Sequence, residues 1–546
     1  MRAPVYSGGM SPEVRSGGPI ASPKSIVIAC CALIVAIVLA YTLINAIVRP
    51  VIWSDSGWGL LGWDLRHGLP WNHWASPDPQ DITKDISTFM SIWSPGQHVV
   101  PGVLEELGLS LGHAVIATVA VFSVIGLLGW WTLYRAFGFP PHVIAISLVL
   151  IVCSRGFAFP FVIFIGGEIL LFGIAPWFLL LVWRLRDLRW FAVPPLVLGT
   201  AVMFFAKLSA VVLACAAISA AVLSGPHPWR DKVDTVRRGL VAGIAIAIVG
   251  VVLYYAWYSR GWTAASTVAS IQWSVFVTHA IFILSCVWGA ALSFGEMWNF
   301  ILLHPSRAIF GSQLAVGYIL ALPAAVTLVV MWRQLRRSHA DYLVFVGLTT
   351  LAYAAVFLLL WARGATIGQE ERYFRPVSLL LLVGAVQAFL IVPSRLLRAA
   401  GVMMALVGVL YGLAAHAKHV VVNLGHPLGV RDFRHSTAND AVVKFLRTID
   451  VPAPDRGSTL IFVPSPEIGL EVRNVRVMAN HADFWSIEDM RNLKFRGRVP
   501  RLYIIVQQRL VGEGKAKAMM EQFVDYKPSE WKETPLDGFV CFYVVE

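Results

Sequence analysis

The residues in this sequence best placed to do chemistry are ionised side chains at the ends of long apolar segments, where charge is costly unless something polar meets it. Asp55 stands in Trp53-Ser-Asp-Ser-Gly-Trp58, shortly past the first apolar segment. A carboxylate on a turn of small residues at a membrane surface could take a proton from an acceptor hydroxyl. It could equally cap the short helix expected over 56–67. Glu168, after Gly166-Gly167, could orient a hydroxyl-bearing ligand, or could sit at a helix N-terminus for the favourable field there. Lys207 follows Phe204-Phe205-Ala206 and offers a compact positive charge for a phosphate, unless it snorkels to the interface. Far along the chain, Gly368–Ser378 (GQEERYFRPVS) carries Glu370, Glu371, Arg372 and Arg375 between two apolar segments. The two arginines are spaced to share a helical face, and guanidinium forks suit a phosphate. A salt bridge to Glu370 or Glu371 is the plainer alternative. Arg155 is a weaker member of the same set.

The loop 49–111 adds a second kind of chemistry. It holds Trp53, Trp58, Trp63, Trp71, Trp74 and Trp93 among Asp55, Asp64, Asp78, Asp81 and Asp85. Tryptophans favour the headgroup zone and aspartates belong in exposed loops. Flat aromatic faces also pack on the C–H faces of sugars, while carboxylates bind hydroxyls. On that second reading Trp58, Asp64 and Trp93 are candidate sugar contacts. His67, His73 and His98 share the loop and leave room for a divalent cation, although no histidine spacing is that of a metal site. The sequence requires no cofactor.

The elements that must hold these residues follow from composition. A chain of 546 residues that is 57% hydrophobic and 14% charged is not a soluble globule. Its net charge of +12 would suggest nucleic acid in a soluble protein. Here the basic residues gather in short loops: Arg135; Arg184, Arg186 and Arg189; Arg230, Lys232, Arg237 and Arg238; Arg333, Arg336 and Arg337; Arg395 and Arg398. That is the positive-inside pattern of a multi-pass membrane protein, and it accounts for the charge without a nucleic-acid partner. Five of the six cysteines fall in apolar segments, so no disulfide framework is implied.

With the arginine loops inside, spans are expected at about 25–48, 112–134, 142–158, 167–183, 190–206, 207–224, 238–258, 312–332, 342–361, 376–393 and 397–417. The apolar stretch 275–294 reads as a re-entrant or interfacial helix, because counting it as a span would put Arg333, Arg336 and Arg337 outside. The chain then divides into a flexible cytoplasmic tail (1–24), a bundle (25–419) and an external domain (420–546). The external domain shows strand-like runs at 459–464, 475–478, 502–507 and 539–545, with helices at 438–449 and 515–523, the first opened by a capping box at Thr437-Ala-Asn-Asp440. The fold class is thus a polytopic α-helical membrane protein with a C-terminal extracytoplasmic α/β domain. This thread places loop 49–111, Arg155, Glu168, Lys207 and 370–375 on one face, the external one.

In chain order, four motifs resemble those of C-type glycosyltransferases, the polytopic superfamily of protein mannosyltransferases, aminoarabinose transferases and related bacterial enzymes. Asp55 in Trp53-Ser-Asp-Ser-Gly-Trp58 is similar to the family's first-loop aspartate, followed by a family-like Gly68-Leu-Pro-Trp-Asn72. Trp93-Ser-Pro-Gly96 resembles the turn before the second span, with Ser94 where proline is commoner. Gly167-Glu168 and Phe205-Ala-Lys207 match positions at the external ends of middle spans, and Glu371-Arg-Tyr-Phe-Arg-Pro376 resembles the late ERY-x-x-P turn. Both neighbours of Asp55 are serines, where many members carry a second acidic residue.

The resemblance implies a bacterial cytoplasmic-membrane enzyme moving a sugar from a polyprenyl-phosphate donor to an envelope glycan, lipid or protein on the outer face, with inversion. It implies Asp55 as base, Glu168 as the acceptor-orienting group, and Lys207, Arg372 and Arg375 on the donor phosphate. The competing readings are a transporter or flippase of a lipid-linked glycan, and a catalytically inactive scaffold of the same fold. Against transport, the sequence shows no internal repeat and no matched pair of broken helices.

Overall fold

The computed structural model describes residues 22–66, 68–224, 232–260, 273–302, 313–364, 368, 370–452, 458–479 and 486–546. His67, and most of the N-terminal tail, lie outside them. Eight helices are long and apolar enough to cross a bilayer: Pro23–Val48, Leu111–Ala136, Gly167–Arg184, Lys232–Arg260, Ala315–Leu335, Ala340–Ala362, Glu371–Ile391 and Arg395–Leu424. Pro141–Cys153 and Arg155–Val162 form a unit bent by 43°. Ser154 makes that break, since its hydroxyl donates to the Ile151 carbonyl and accepts from Phe157 N–H, ending one helix and capping the next. Trp190–Ala206 and Ala210–Ser224 are apolar but shorter.

Helices occupy all eleven expected positions. The expected spans at 190–206 and 207–224 are short because Lys207 is extended and the chain opens between them. The segment expected to re-enter is two helices, His279–Gly289 and Phe294–Ile301, meeting at a bend of 113°. Among the described residues the basic loops converge at one end of the bundle, where Arg186 pairs with Asp341 (3.2 Å).

The C-terminal part is a five-stranded sheet ordered Arg476–Ala479, Thr459–Val463, Arg501–Gln507, Phe539–Val545, Lys532–Pro535. The first three strands run parallel and the last two pairings are antiparallel. The edge strand Lys532–Pro535 (KETP) has no apolar alternation and was not expected as a strand. The helix expected from 438 starts at Asp440, capped by Asn439, whose Oδ1 accepts from Val442 N–H (2.9 Å). Thr437 does not cap it, because its hydroxyl is engaged with Glu467 (3.3 Å).

The loop 49–111 joins bundle and sheet. It contains the helix Ser54–Leu65, the hairpin His73–Asp78/Asp81–Phe89 and the helix Gly96–Glu106. The hairpin tip inserts Ile82, fully buried, into the sheet's apolar core. Arg476 grips the same tip through Asp85 (2.5 Å) and the carbonyls of Ile82 (2.6 Å) and Lys84 (2.8 Å).

Candidate active site at the sheet-domain end of the bundle

A two-residue parallel ladder brings the first two candidate carboxylates together. Val51 and Ile52 pair with Ile163 and Phe164, and Trp53 N–H donates to the Phe164 carbonyl (3.0 Å). From this joint one chain enters the helix Ser54–Leu65 with Asp55 in its first turn. The other passes Gly166 into the helix Gly167–Arg184 with Glu168 in its first turn. Both carboxylates therefore sit at helix N-termini, where the backbone N–H groups favour negative charge. Gly166 has φ +27°, and a Cβ there would fall 2.5 Å from Gln97, so the crossing tolerates only glycine.

The Trp93-Ser-Pro-Gly96 turn docks on the third piece. Ser94 Oγ donates to the Ala206 carbonyl (3.3 Å), and a Cβ on Gly96 would lie 2.4 Å from the Phe205 carbonyl. Those carbonyls end the helix Val193–Ala206, and Lys207, extended at φ −160°, turns its ammonium onto Glu168 Oε1.

The fourth piece is the single 3-10 turn Glu371–Phe374, leading into the helix Arg375–Ile391. Arg372 Nε lies 3.8 Å from the same Glu168 Oε1 and 2.5 Å from Glu370. The Tyr373 ring lies near both cations, 5.0 Å from Lys207 Nζ and 5.4 Å from Arg372 Cζ. Its backbone is held by the Tyr353 hydroxyl, which donates to the Tyr373 carbonyl (2.7 Å). Arg375 comes against Gly156, where a Cβ would meet its Nε at 2.4 Å. Its guanidinium lies in the field of Glu168 and Glu371 yet makes no hydrogen bond or ion pair with a described residue. The half-buried Asp55 carboxylate has none either, and Arg372 is its electrostatic neighbour.

An apolar groove leaves this cluster. It starts at Ser378, about one helical turn past Arg375, passes Trp288, Leu292 and Met404, and reaches Arg398 at the far end of the bundle, enclosing about 170 Å³.

Asp55, Glu168, Lys207, Arg372 and Arg375 thus come together, and the other candidates do not. Trp58 is 7% exposed, stacked on Trp93 (centroids 6.3 Å, planes 8° apart) and tilted against Trp74. Asp64 faces the sheet domain, where Arg431 binds both it and Glu105. Burial acts to lower the Arg431 pKa, yet these two carboxylates hold it above its ordinary value. His73 pairs with Ser87 (3.1 Å) and His98 with Asn72 (2.9 Å). Among the described residues no three His, Cys, Asp or Glu side chains converge as metal ligands do.

Sequence reasoning missed Glu296, which pairs with Arg155. It also missed Glu371 as the group that accepts backbone N–H from Gly295 (3.1 Å) and Glu296 (2.9 Å). A signal existed: a lone acidic residue in an apolar stretch, as Glu296 is, needs a partner.

No protein-family model and no curated protein matches the sequence. Among solved structures, ArnT from Cupriavidus metallidurans in the apo state aligns over 94% of this chain and 97% of its own, with 13% identity and a TM-score of 0.51. The same protein bound to undecaprenyl phosphate aligns with the same figures. The chain shares its fold with ArnT. A mycobacterial arabinofuranosyltransferase, AftD, aligns over 97% of this chain and 40% of its own, with 13% identity and a TM-score of 0.46. The likeness to ArnT is one of fold, and it extends over the bundle and the sheet domain together.

Proposed function

We propose that the protein is a glycosyltransferase that moves a sugar from a polyprenyl-phosphate donor to an envelope glycan, lipid or protein acceptor. The observation that carries this reading is a charge cluster beside the Ser378 end of an apolar groove, in which Asp55 and Arg375 make no hydrogen bond or ion pair with a described residue. Arg375 is half-buried in the field of Glu168 and Glu371 but pairs with neither at contact distance, and a lipid phosphate would supply such a partner while its isoprenoid tail filled the groove. Undecaprenyl phosphate bound to ArnT, a protein of this fold, supports that class of donor.

In this mechanism the donor phosphate meets Lys207, Arg372 and Arg375. Asp55 takes the proton of an acceptor hydroxyl as its oxygen attacks the anomeric carbon opposite the phosphate. The anomeric C–O bond breaks, polyprenyl phosphate leaves, and the configuration inverts. The three cations stabilise the charge that grows on the leaving phosphate, the electrostatic contribution that usually dominates such catalysis. Both cation contacts of Glu168 fall on Oε1, leaving Oε2 to orient the acceptor. The Arg186–Asp341 end faces the cytoplasm in this reading, as the positive-inside rule requires. The N-terminus is then cytoplasmic, the sheet domain lies outside a bacterial cytoplasmic membrane, and no cofactor is invoked.

The test is the mass profile of envelope glycans from a strain lacking the gene, complemented with wild type or Asp55→Asn. A glycan short by one sugar in the variant, as in the deletion, supports transfer by Asp55. Full restoration by normally expressed Asp55→Asn overturns the assignment.

A further inference from the structure

The re-entrant turn between His279–Gly289 and Phe294–Ile301 is pinned by the span that carries Arg372 and Arg375. Glu371, 6% exposed, accepts the N–H groups of Gly295 (3.1 Å) and Glu296 (2.9 Å), which open the helix Phe294–Leu302. The fit is tight: a Cβ on Gly295 would come within 2.9 Å of the Glu371 carboxylate, and one on Gly289 within 3.1 Å. About two helical turns further on, Ser378 Oγ accepts from Ala291 N–H (2.8 Å) and donates to the Trp288 carbonyl (3.1 Å). Two side chains of one helix thus hold both ends of the turn.

What the turn separates gives the latch a purpose. Trp288, Leu292 and Phe294 face the apolar groove. Gly295, Glu296 and Asn299 face a second cavity, about 160 Å³ and of mixed lining, where Glu370 and Glu371 stand opposite Phe282, Val316 and Leu320. The turn is therefore the wall between the apolar groove and the cavity that the carboxylates line. Glu371 also shares a four-residue 3-10 turn with Arg372, so the groups that fix the wall and bind the phosphate move as one piece. Arg155, which pairs with Glu296, ties the bent helix Arg155–Val162 to the same wall.

We infer that Glu371 is a positioning residue that fixes the wall at the groove mouth and so sets where a lipid phosphate stops beside Arg372 and Arg375. The inference rests on the donor reading above. A carboxylate accepting two backbone N–H groups does this with fixed geometry. Its amide analogue can accept at one oxygen only.

The experiment uses the full chain in lipid nanodiscs, with undecaprenyl phosphate and undecaprenol as probes and their affinity ratio as the readout. Wild type binds the phosphate more tightly than the alcohol, and Arg375→Gln removes that preference. Failure of either result overturns the donor reading itself. With both in place, Glu371→Gln is expected to cut the ratio by about tenfold, the worth of a charge-assisted hydrogen bond, while Glu371→Asp recovers part of it. Ser378→Ala, which loosens the other end of the latch, lowers the ratio in the same direction and serves if Glu371→Gln does not fold. A merely structural loosening weakens both probes alike and leaves the ratio unchanged. An unchanged ratio in Glu371→Gln, or in Ser378→Ala where the first does not fold, overturns the inference while the donor reading stands.

Discussion

Two of the molecule's clusters of arginines and carboxylates differ in whether the charges are paired off. At the joint between loop 49–111 and the sheet, Arg431 is 4% exposed, yet its guanidinium meets Asp64, Glu105 and the Leu470 carbonyl (3.0 Å). Nearby, Arg476 is matched by Asp85 and two carbonyls. At the bundle end, Lys207 and Arg372 share one oxygen of Glu168, while Arg375 and Asp55 find no described partner. The composition of the two clusters is alike, so residue type does not tell them apart. A fully matched buried network fixes geometry, whereas unmatched charge in a low-dielectric site is tolerated where a ligand completes it.

The strongest way to break this contrast is to remove the unpaired carboxylate. Asp55→Asn keeps the side chain's shape and gives up only a helix-terminal charge, so the melting temperature should move little. Transfer should fall by about 10²–10⁴-fold, the usual worth of a general base, as measured on purified enzyme with a lipid-linked donor. Retained activity would make Asp55 a helix-terminal residue and nothing more.

At the matched cluster the expectation reverses. Arg431→Met strips Asp64 of its cation and leaves Glu105 only the exposed Arg473, a loss of about 3–5 kcal/mol for a broken buried pair. Thermal unfolding in nanodiscs should show it as a lowered midpoint, and Glu105→Gln in the same chain should recover part of it. Arg375→Gln is the counterpart. Removing a cation that makes no ion pair with a described residue should lower the midpoint far less than Arg431→Met does, while undecaprenyl phosphate affinity falls about 10–100-fold, in line with charge-assisted hydrogen bonds lost. A large drop in midpoint for Arg375→Gln would mean that its neighbours neutralise it after all.

How much of this was legible in the sequence divides along the same line. The helices were legible because bilayer length and apolar runs dictate them, and the grouping of Asp55, Glu168, Lys207, Arg372 and Arg375 followed from placing charges on one face. The partner of each charge was not legible. Arg431 and Asp64 are 367 positions apart, and no local pattern links them. The Glu371 latch needs the re-entrant turn to fold back before its two N–H donors exist. The break at Lys207 and the sheet edge at Lys532–Pro535 depend on tertiary contacts that override weak local preference.

His98 gives a smaller, pH-dependent test of the loop that carries Asp55. Asn72 Nδ2 donates to the carbonyls of Met90 (2.7 Å) and Trp93 (3.3 Å), so its Oδ1 must accept from His98 Nε2–H. The remaining Nδ1 is buried without a partner. Burial, with Arg66 acting the same way, pushes the imidazole down to about 3. An unfolded histidine titrates near about 6.5, so between those values the unfolded loop binds a proton that the folded loop does not. Stability is then full above about pH 6.5 and falls with decreasing pH, by about 2 kcal/mol at pH 5. The thermal midpoint should drop between about pH 7 and pH 5 in wild type, and the drop should be smaller in His98→Gln.

The smallest effect is the sharpest check on the comparison itself. Arg473 also pairs with Glu105 (2.5 Å), as closely as the buried bridges do, but its side chain is 61% exposed. Water competes for both charges there, and an exposed pair is worth below about 1 kcal/mol. Glu105 keeps Arg431 when Arg473 is removed, so no carboxylate is stranded. Arg473→Ala should therefore shift the midpoint far less than Arg431→Met, and added salt should shrink the difference from wild type further. If both substitutions cost the same, burial is not what separates the matched joint from the surface, and reading the unmatched charges of the bundle end as a site for a ligand loses its physical ground.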